Sequence, residues 1–173
     1  LKSMEMDIYR STFDESNYKE YILGSAEVVG LMCLRVFCEN DKELYQRLKP
    51  YAMALGSAYQ KINFLRDLKD DYNNLGRTYF PNIDLMKFDD TSKKQIIIDI
   101  EKDFTEGYKG IRQLPKSVRF GVYLSYIYYK GLMKKIENTP SNRILNERVR
   151  IPNTQKYLLL LSSLLRYKLT IAN

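Results

Sequence analysis

Helical periodicity runs through most of the 173-residue sequence and limits the folds open to it. Apolar residues recur at intervals of three and four over residues 18–37, 93–114 and 117–136, and over a stretch that begins near residue 44 or 50 and ends near 72. The turn signal NNLG, residues 73–76, ends the stretch near 72, and the loop PNIDLMKFDDTS follows. Asp90 or Thr91 is suited to cap the helix over residues 93–114, and Thr154 is suited to cap a last helix ending near Ile171. No stretch of any length alternates apolar and polar residues as a half-buried strand does. The pattern therefore predicts an all-α bundle of about five or six helices in a single domain spanning residues 1–173.

The composition restricts the chemistry that the chain can perform. Its net charge of +7 favours anionic partners, but basic residues alternate with acids along most of the sequence, so we expect no nucleic acid partner. There is no histidine, which excludes Ser-His-Asp and Cys-His catalysis and histidine zinc sites. Cys33 and Cys38 lie in an apolar segment and indicate core residues in a reducing compartment.

The sequence predicts a cytoplasmic protein. It has no signal peptide, and the longest apolar run, YLLLLSSLL from Tyr157 to Leu165, is too short to cross a bilayer. Peripheral contact with the inner face of a membrane fits both the positive charge and an apolar substrate. The sequence begins without an initiator methionine, which is typical of a processed or truncated product.

One stripe of polar residues stands out in QKINFLRDLKDDYNNLGRTYFP, residues 60–81. At 100° per residue a helix places four of its side chains on one side, namely Gln60, Asn63, Asp67 and Asp71. Two carboxylates four residues apart, with an amide oxygen beside them, suit Mg²⁺, which fills the rest of its shell with water and phosphate oxygens. Asp70 falls at the edge of the stripe. The alternative is that these acids are solvated and pair with Arg66 and Lys69.

Two other features have simpler interpretations. Asp99 and Asp103 repeat the four-residue spacing without amides in register, which indicates an ordinary exposed helix face. Gly24 and Gly30 lie inside a predicted helix, where each costs about 1 kcal/mol against alanine. Such glycines are typical of a site where a neighbouring backbone, or a bulky ligand, comes close.

The longer strings resemble one enzyme family. NFLRDLKDDYNNLGRTYFP resembles the second aspartate-rich motif of the squalene and phytoene synthases, N-x-x-R-D-x-x-x-D followed by R-x-Y-hydrophobic-P. YILGSAEVVG is similar to that family's Y-x-x-G-x-A-x-x-V-G motif, and GYKGIRQLP, RFGVYLSYIYYKGLMKKI and NERVRIP resemble its C-terminal helices. Bacterial phytoene synthases are the most similar branch, and the chain matches about the C-terminal two-thirds of the family pattern.

The resemblance implies an isoprenoid-synthase-type helical bundle that joins two prenyl diphosphates head to head. The substrate and product implied are geranylgeranyl diphosphate and phytoene, formed through a cyclopropyl diphosphate in carotenoid biosynthesis. The implied cofactor is Mg²⁺, with Mn²⁺ as a substitute. Squalene or dehydrosqualene synthase is the alternative within the family, with NADPH needed for squalene. A non-catalytic helical binding or assembly module is the alternative of another class.

The resemblance also implies roles for individual residues. Asn63, Asp67 and Asp71 would hold the metal, and Asp67, Asp71 and Tyr79 would be catalytic. The implied substrate-binding residues are Tyr21, Ala26, Gly30, Gln60, Arg77, Tyr129, Arg148 and Lys156. Of these, Arg77, Tyr129, Arg148 and Lys156 would contact diphosphate, together with Tyr79, while Ala26 and Gly30 would leave room for the prenyl chain.

The sequence departs from the family pattern at its start. The first aspartate-rich motif belongs upstream of Tyr21, and residues 1–19 do not contain it. Asp7 matches a family acid but has no partner four residues on. We therefore expect that roughly the first third of the family pattern, with its N-terminal helices, is missing and that this chain alone is inactive or very weak.

Overall fold

A computed structural model describes residues 2–9 and 11–170, apart from the side chains at positions 73, 168 and 170. Its α-helices, in chain order, are α1 (Lys2–Tyr9), α2 (Glu15–Ile22), α3 (Val28–Phe37), α4 (Lys42–Leu75), α5 (Asp90–Ile111), α6 (Lys116–Glu137), α7 (Ser141–Ile144) and α8 (Asn153–Thr170). Within these residues the only β-type pairing is an isolated bridge between Thr12 and Thr78. The all-α prediction is confirmed.

Several element boundaries differ from the sequence-based expectation. The predicted helix over residues 18–37 is α2 and α3 joined by a π-helical turn, Leu23–Glu27. The short helices α1 and α7 were not predicted, and together with this division they account for the larger number of helices. Thr154 lies inside α8 instead of capping it, and Ile171, its expected end, lies outside the described residues.

The cap of α5 lies one residue earlier than expected. Asp89, and neither Asp90 nor Thr91, accepts a hydrogen bond from the backbone N–H of Ser92 at 2.7 Å. The preceding segment, expected to be a loop, contains one turn of 3₁₀ helix, Leu85–Lys87.

Helix α4 is the longest helix and packs against α3, α5 and α6. Asp41 caps its start, accepting from the backbone N–H of Leu44 at 2.8 Å, and the helix continues through Pro50. It ends at Gly76, whose φ of 61° is a left-handed conformation that favours glycine, as the NNLG turn predicts. All of the predicted polar stripe therefore lies on one continuous element.

Helices α3 and α4 approach each other through glycines. A Cβ at Gly30 would lie 2.7 Å from the backbone oxygen of Ala52, and one at Gly56 would lie 2.7 Å from that of Ala26. Gly24 likewise packs against Ser3 of α1. Close backbone approach is thus a sufficient reason for these glycines.

The core has two parts. The larger cluster centres on α4, α5 and α6, with Ile62, Leu65, Ile100, Phe104 and Ile136 fully buried. A smaller cluster at the other end includes Leu34, Cys38, Leu48 and Leu114. Cys38 is buried as expected, whereas Cys33 is exposed. Among the described helices, none is both long and apolar enough to cross a bilayer.

Asp99 and Asp103 are not an ordinary exposed face. Both pair with Lys61 of α4, at 2.5 Å and 2.8 Å, and the Lys61 side chain is 10% exposed. Ser57 donates a further hydrogen bond to Asp103 at 2.7 Å. These carboxylates join α4 to α5, so their four-residue spacing has a structural reason.

Candidate active site

A cavity of about 620 Å³ lies between α3, α4, α5 and α6. Its walls are largely apolar, and five glycines contribute to them: Gly30, Gly56, Gly107, Gly110 and Gly121. Ala26 and Gly30 line it, as the resemblance implies for residues that leave room for a chain. A volume within about 300–1,000 Å³ is typical of small-molecule pockets. The cavity can hold an extended apolar group.

The polar stripe of α4 begins at this cavity. Gln60 lines the cavity, and Asn63 lies about one turn further along α4. The Tyr129 hydroxyl donates to Asn63 Oδ1 at 3.3 Å, and the Tyr129 ring stacks on Tyr59, with centroids 4.0 Å apart. Tyr59 also lines the cavity. Two stacked tyrosines therefore lie where the apolar space meets the polar stripe.

Asp67 is held by two arginines. Arg66 binds it in a fork, with Nε at 3.0 Å from Oδ1 and Nη2 at 2.5 Å from Oδ2. Arg148, from the segment after α7, places Nε 2.6 Å from Oδ1. The pairing with Arg66, which the alternative interpretation of these acids includes, is present, and the second partner comes from 81 positions later in the chain. Two guanidiniums thus converge on one carboxylate.

These arginines open onto a basic pocket of about 510 Å³. Arg66, Arg148, Arg150 and Lys156 line it, and Lys156 Nζ lies 6.0 Å from the centroid of the Tyr128 ring. The structure therefore brings Lys156 to the same pocket as Arg148, which contacts Asp67. Four cations around one pocket favour an anionic ligand, and the planar guanidiniums suit phosphate oxygens.

Asp71 lies in a different electrostatic setting from Asp67. Burial raises the pKa of Asp71 to about 6; the nearby Asp67 carboxylate adds to this rise, and Arg77 opposes it. A carboxylate that is partly buried beside another carboxylate is stabilised by a cation. Asn63, Asp67 and Asp71 supply oxygen donors from consecutive turns of one helix face, and this donor set fits a hard cation such as Mg²⁺. No three Asp, Glu, Cys or His residues of the described chain group closely enough to hold a metal alone.

A second polar cluster forms around Asp7 of α1. The Tyr21 hydroxyl donates to Asp7 Oδ1 at 2.9 Å, and the Tyr79 hydroxyl lies 3.4 Å from the same oxygen. Arg77 Nη1 lies 3.6 Å from Asp7 Oδ1, and its Nη2 donates to the Asp7 carbonyl. The backbone N–H of Arg77 also donates to the Asp71 carbonyl at 2.9 Å, so this cluster adjoins the carboxylates of α4.

The two tyrosines of this cluster are buried. Tyr79 stacks on Phe64 with centroids 4.1 Å apart, and Tyr21 lies 5.2 Å from Tyr79. Burial raises the pKa of both hydroxyls, which keeps them protonated as hydrogen-bond donors. Tyr21 lies in this cluster and not among the residues that line the large cavity, so in this structure it holds Asp7.

Asp7 and Arg66 are the residues that sequence reasoning undervalued. Asp7 matched a family acid, but it had no partner four residues on. The signal lay instead in Tyr21 and Tyr79, because their buried hydroxyls need acceptors. The sequence shows that Arg66 is adjacent to Asp67. That Arg66 and Arg148 both bind Asp67 depends on the tertiary fold.

Comparisons with known proteins agree with the family resemblance seen in the sequence. The family model described as squalene/phytoene synthase matches residues 1–155. The 15-cis-phytoene synthase of Synechocystis sp. is 32% identical over 92% of this chain and 54% of its own length. The phytoene synthase of Arthrospira platensis is 29% identical over 92% of this chain and 59% of its own. The chain thus spans a little over half the length of these curated relatives.

A solved structure shows the fold. The squalene synthase HpnC from Alicyclobacillus acidocaldarius superposes with a TM-score of 0.67, at 20% identity, over 84% of this chain and 58% of that one. The prediction of an isoprenoid-synthase-type bundle is confirmed.

Proposed function

The chain belongs to the squalene/phytoene synthase family, and from that premise we propose that its α4 site binds prenyl diphosphates for head-to-head condensation. The reaction proposed first joins two geranylgeranyl diphosphates into phytoene, through a cyclopropyl diphosphate, in carotenoid biosynthesis. The supporting observation is the order of groups along α4: Gln60 lines the apolar cavity, Asn63 and Asp67 follow on the next turns, and the arginines that bind Asp67 line a basic pocket. A prenyl diphosphate has the same division, with an apolar chain and an anionic head.

Each part of the site has a task in this proposal. The cavity wall at Ala26 and Gly30 receives the prenyl chain, and Gln60 lies where the chain meets the head. Arg148, Lys156 and Arg77 bind the diphosphate. Tyr59 and Tyr129 stack beside the junction between the cavity and the polar stripe, and so limit water there.

Asn63, Asp67 and Asp71 would hold Mg²⁺, or Mn²⁺ in its place. When bound, the ion neutralises diphosphate charge and so favours loss of the diphosphate. Arg66 and Arg148 neutralise Asp67 in the structure, and an incoming diphosphate offers the same guanidiniums a second anion. Tyr79 and Arg77 contact Asp7, and the backbone N–H of Arg77 donates to the Asp71 carbonyl at 2.9 Å, which keeps the head-group end ordered.

Two alternatives remain as proposals. Squalene or dehydrosqualene synthesis uses the same site, with NADPH for squalene, and the product then depends on the length of the cavity. A non-catalytic binding or assembly module would have the same fold without turnover. We propose a cytoplasmic location, with peripheral membrane contact, for the phytoene synthase function and for both alternatives.

We expect turnover by this chain alone to be absent or very weak. The family pattern places its first aspartate-rich motif upstream of Tyr21, and residues 1–19 do not carry it. The measurement is phytoene formation from geranylgeranyl diphosphate and Mg²⁺ with residues 1–173. Robust phytoene formation would contradict this expectation.

The binding proposal is tested with two acid-to-amide variants of α4. We expect Asp67→Asn with Asp71→Asn to weaken Mg²⁺-dependent binding of geranylgeranyl thiodiphosphate by about tenfold or more, since two cation donors are lost. Asp70→Asn removes one charge of the same kind from the same helix, and it should alter affinity by less than about threefold, because Asp70 falls at the edge of the stripe and supplies no donor to the cation. Calorimetric titration with and without EDTA measures both. Equal losses in the two variants, or no loss in the double variant, would reject the site.

A further inference from the structure

Guanidinium groups engage both carboxylate oxygens of Asp67. Oδ1 accepts from Arg66 Nε at 3.0 Å and lies 2.6 Å from Arg148 Nε, while Oδ2 accepts from Arg66 Nη2 at 2.5 Å. Two positive charges therefore contact one negative charge, and a metal ion brought to Asp67 would be repelled by both. In this arrangement Asp67 is a poor ligand for a divalent ion, although its position in the polar stripe suits one.

The two arginines differ in how firmly they are held. Arg66 precedes Asp67 on α4 and binds it in a fork, and the Arg66 side chain is 22% exposed. Arg148 contacts Asp67 through Nε, and its side chain is 38% exposed. Val149 and Ile151, which follow Arg148, are buried in the core and anchor the backbone of this segment. A change of rotamer at Arg148 is therefore enough to separate it from Asp67.

The basic pocket offers Arg148 a second anion-binding position. Arg148 lines this pocket together with Arg66, Arg150 and Lys156. Among the described residues that line it, none is an aspartate or a glutamate. An anion that enters the pocket therefore competes with Asp67 for the guanidinium of Arg148.

We propose that Arg148 blocks Asp67 from metal binding until an anionic head group occupies the basic pocket. The anion draws Arg148 away from Asp67, and the freed carboxylate then binds the ion together with Asn63 and Asp71. Anion and metal thus bind cooperatively, and each raises the affinity for the other. This inference rests on the proposed function, because it takes these α4 donors as the metal site.

Metal binding in the absence of substrate tests the proposal. Mn²⁺, followed by electron paramagnetic resonance of the free ion, should bind Arg148→Gln about fivefold or more tightly than the wild-type chain, because one cation is removed from Asp67. The matched control is Arg150→Gln, which makes the same charge change in the same pocket outside the group formed by Arg66, Asp67 and Arg148. It should change Mn²⁺ affinity by less than about twofold, because its charge acts only at longer range.

Sulfate supplies the anion for the second part of the experiment, because guanidiniums bind it and it holds Mn²⁺ only weakly itself. Against chloride at equal ionic strength, sulfate should tighten Mn²⁺ binding by about fivefold in the wild-type chain and by less than about twofold in Arg148→Gln. Adding Asp67→Asn to Arg148→Gln should abolish the gain in Mn²⁺ affinity. Circular dichroism confirms that all variants fold.

Three results would overturn the proposal: equal Mn²⁺ affinity in Arg148→Gln and Arg150→Gln, a gain that survives Asp67→Asn, or the same sulfate effect with and without Arg148. Failure of the proposed function has a different sign, since Asp67→Asn with Asp71→Asn would then leave Mg²⁺-dependent binding of geranylgeranyl thiodiphosphate unchanged. If that binding requires both acids while Arg148→Gln behaves like Arg150→Gln, the site stands and only the blocking role of Arg148 is rejected.

Discussion

Gly30 determines how closely α3 can approach α4, and so helps to shape the cavity that both helices line. A methyl group there would meet the backbone oxygen of Ala52 at 2.7 Å, and a backbone atom on a long helix cannot move aside as a side-chain tip can. The same holds for Gly56 against Ala26. The glycines thus link a residue-scale constraint to the position of the cavity.

We expect Gly30→Ala to lower the free energy of unfolding by about 2 kcal/mol, since overpacking a tight contact outweighs the better helix propensity of alanine. Gly121→Ala is the matched control. It lies inside α6, and a Cβ there meets nothing within 4 Å, so alanine should stabilise by about 0.5–1 kcal/mol. Urea denaturation monitored by circular dichroism measures both. Similar midpoints for the two variants would show that α3 and α4 are not in tight contact.

Residue-scale prediction from the sequence succeeded where contacts are local. The stripe from Asn63 to Asp71 follows from helical geometry, and α4 carries it as expected. The convergence of Arg148 on Asp67 could not be predicted from spacing, because 81 residues separate them and only the packing of the bundle brings them together. Asp7 was undervalued for the same reason, since Tyr79 reaches it from 72 positions away.

At the scale of elements, α4 and α5 are joined by an ion-pair group as well as by apolar packing. Lys61 is nearly buried between Asp99 and Asp103, and Asp103 is 24% exposed. We expect Lys61→Met to destabilise the protein by about 2 kcal/mol, because it leaves a partly buried carboxylate without its cation. Because Asp99 is partly exposed and water can solvate it, the destabilisation should be smaller than for a fully buried ion pair.

Lys109→Met provides the comparison. Its pair with Glu106 is exposed on α5, with about half of each side chain accessible, so the loss should be within about 0.5 kcal/mol. Thermal unfolding of the two variants measures the difference. If Lys109→Met destabilised the protein as much as Lys61→Met, the loss of stability would come from removing any lysine charge and not from breaking the α4–α5 contact.

Periodicity correctly predicted that residues 18–37 are helical, but it could not predict the π-helical turn at Leu23–Glu27 that divides them into α2 and α3. A π turn holds more residues per turn than an α-helix, so it shifts the register of α3 relative to α2. Tyr21 is thereby placed in the aromatic cluster near Asp7, while Ala26 and Gly30 line the cavity. Hydrophobic spacing indicates which side of a helix is buried. Because a single inserted residue leaves that spacing almost unchanged, the spacing does not reveal a π turn.

At the scale of the whole molecule, the candidate site divides into an apolar half and a polar half, and α4 contributes to both. The cavity is lined by α3, α5, α6 and the first half of α4, whereas the polar half is formed by the latter half of α4 and the segment from Arg148 to Lys156. If the proposed function holds, the two halves bind the two parts of one substrate. They should then be separable by substitution.

Gly121→Phe tests this separation, because Gly121 lines the cavity and has open space beside it. A phenyl ring there should shorten the cavity and weaken binding of geranylgeranyl thiodiphosphate by about tenfold, with a smaller loss for the shorter geranyl analogue. Inorganic diphosphate with Mg²⁺ has no chain, so its affinity should stay within about twofold. Asp67→Asn with Asp71→Asn should instead weaken all three ligands alike, and Gly121→Ala should change none. A Gly121→Phe loss that is equal for all three ligands would mean that the prenyl chain does not occupy this cavity.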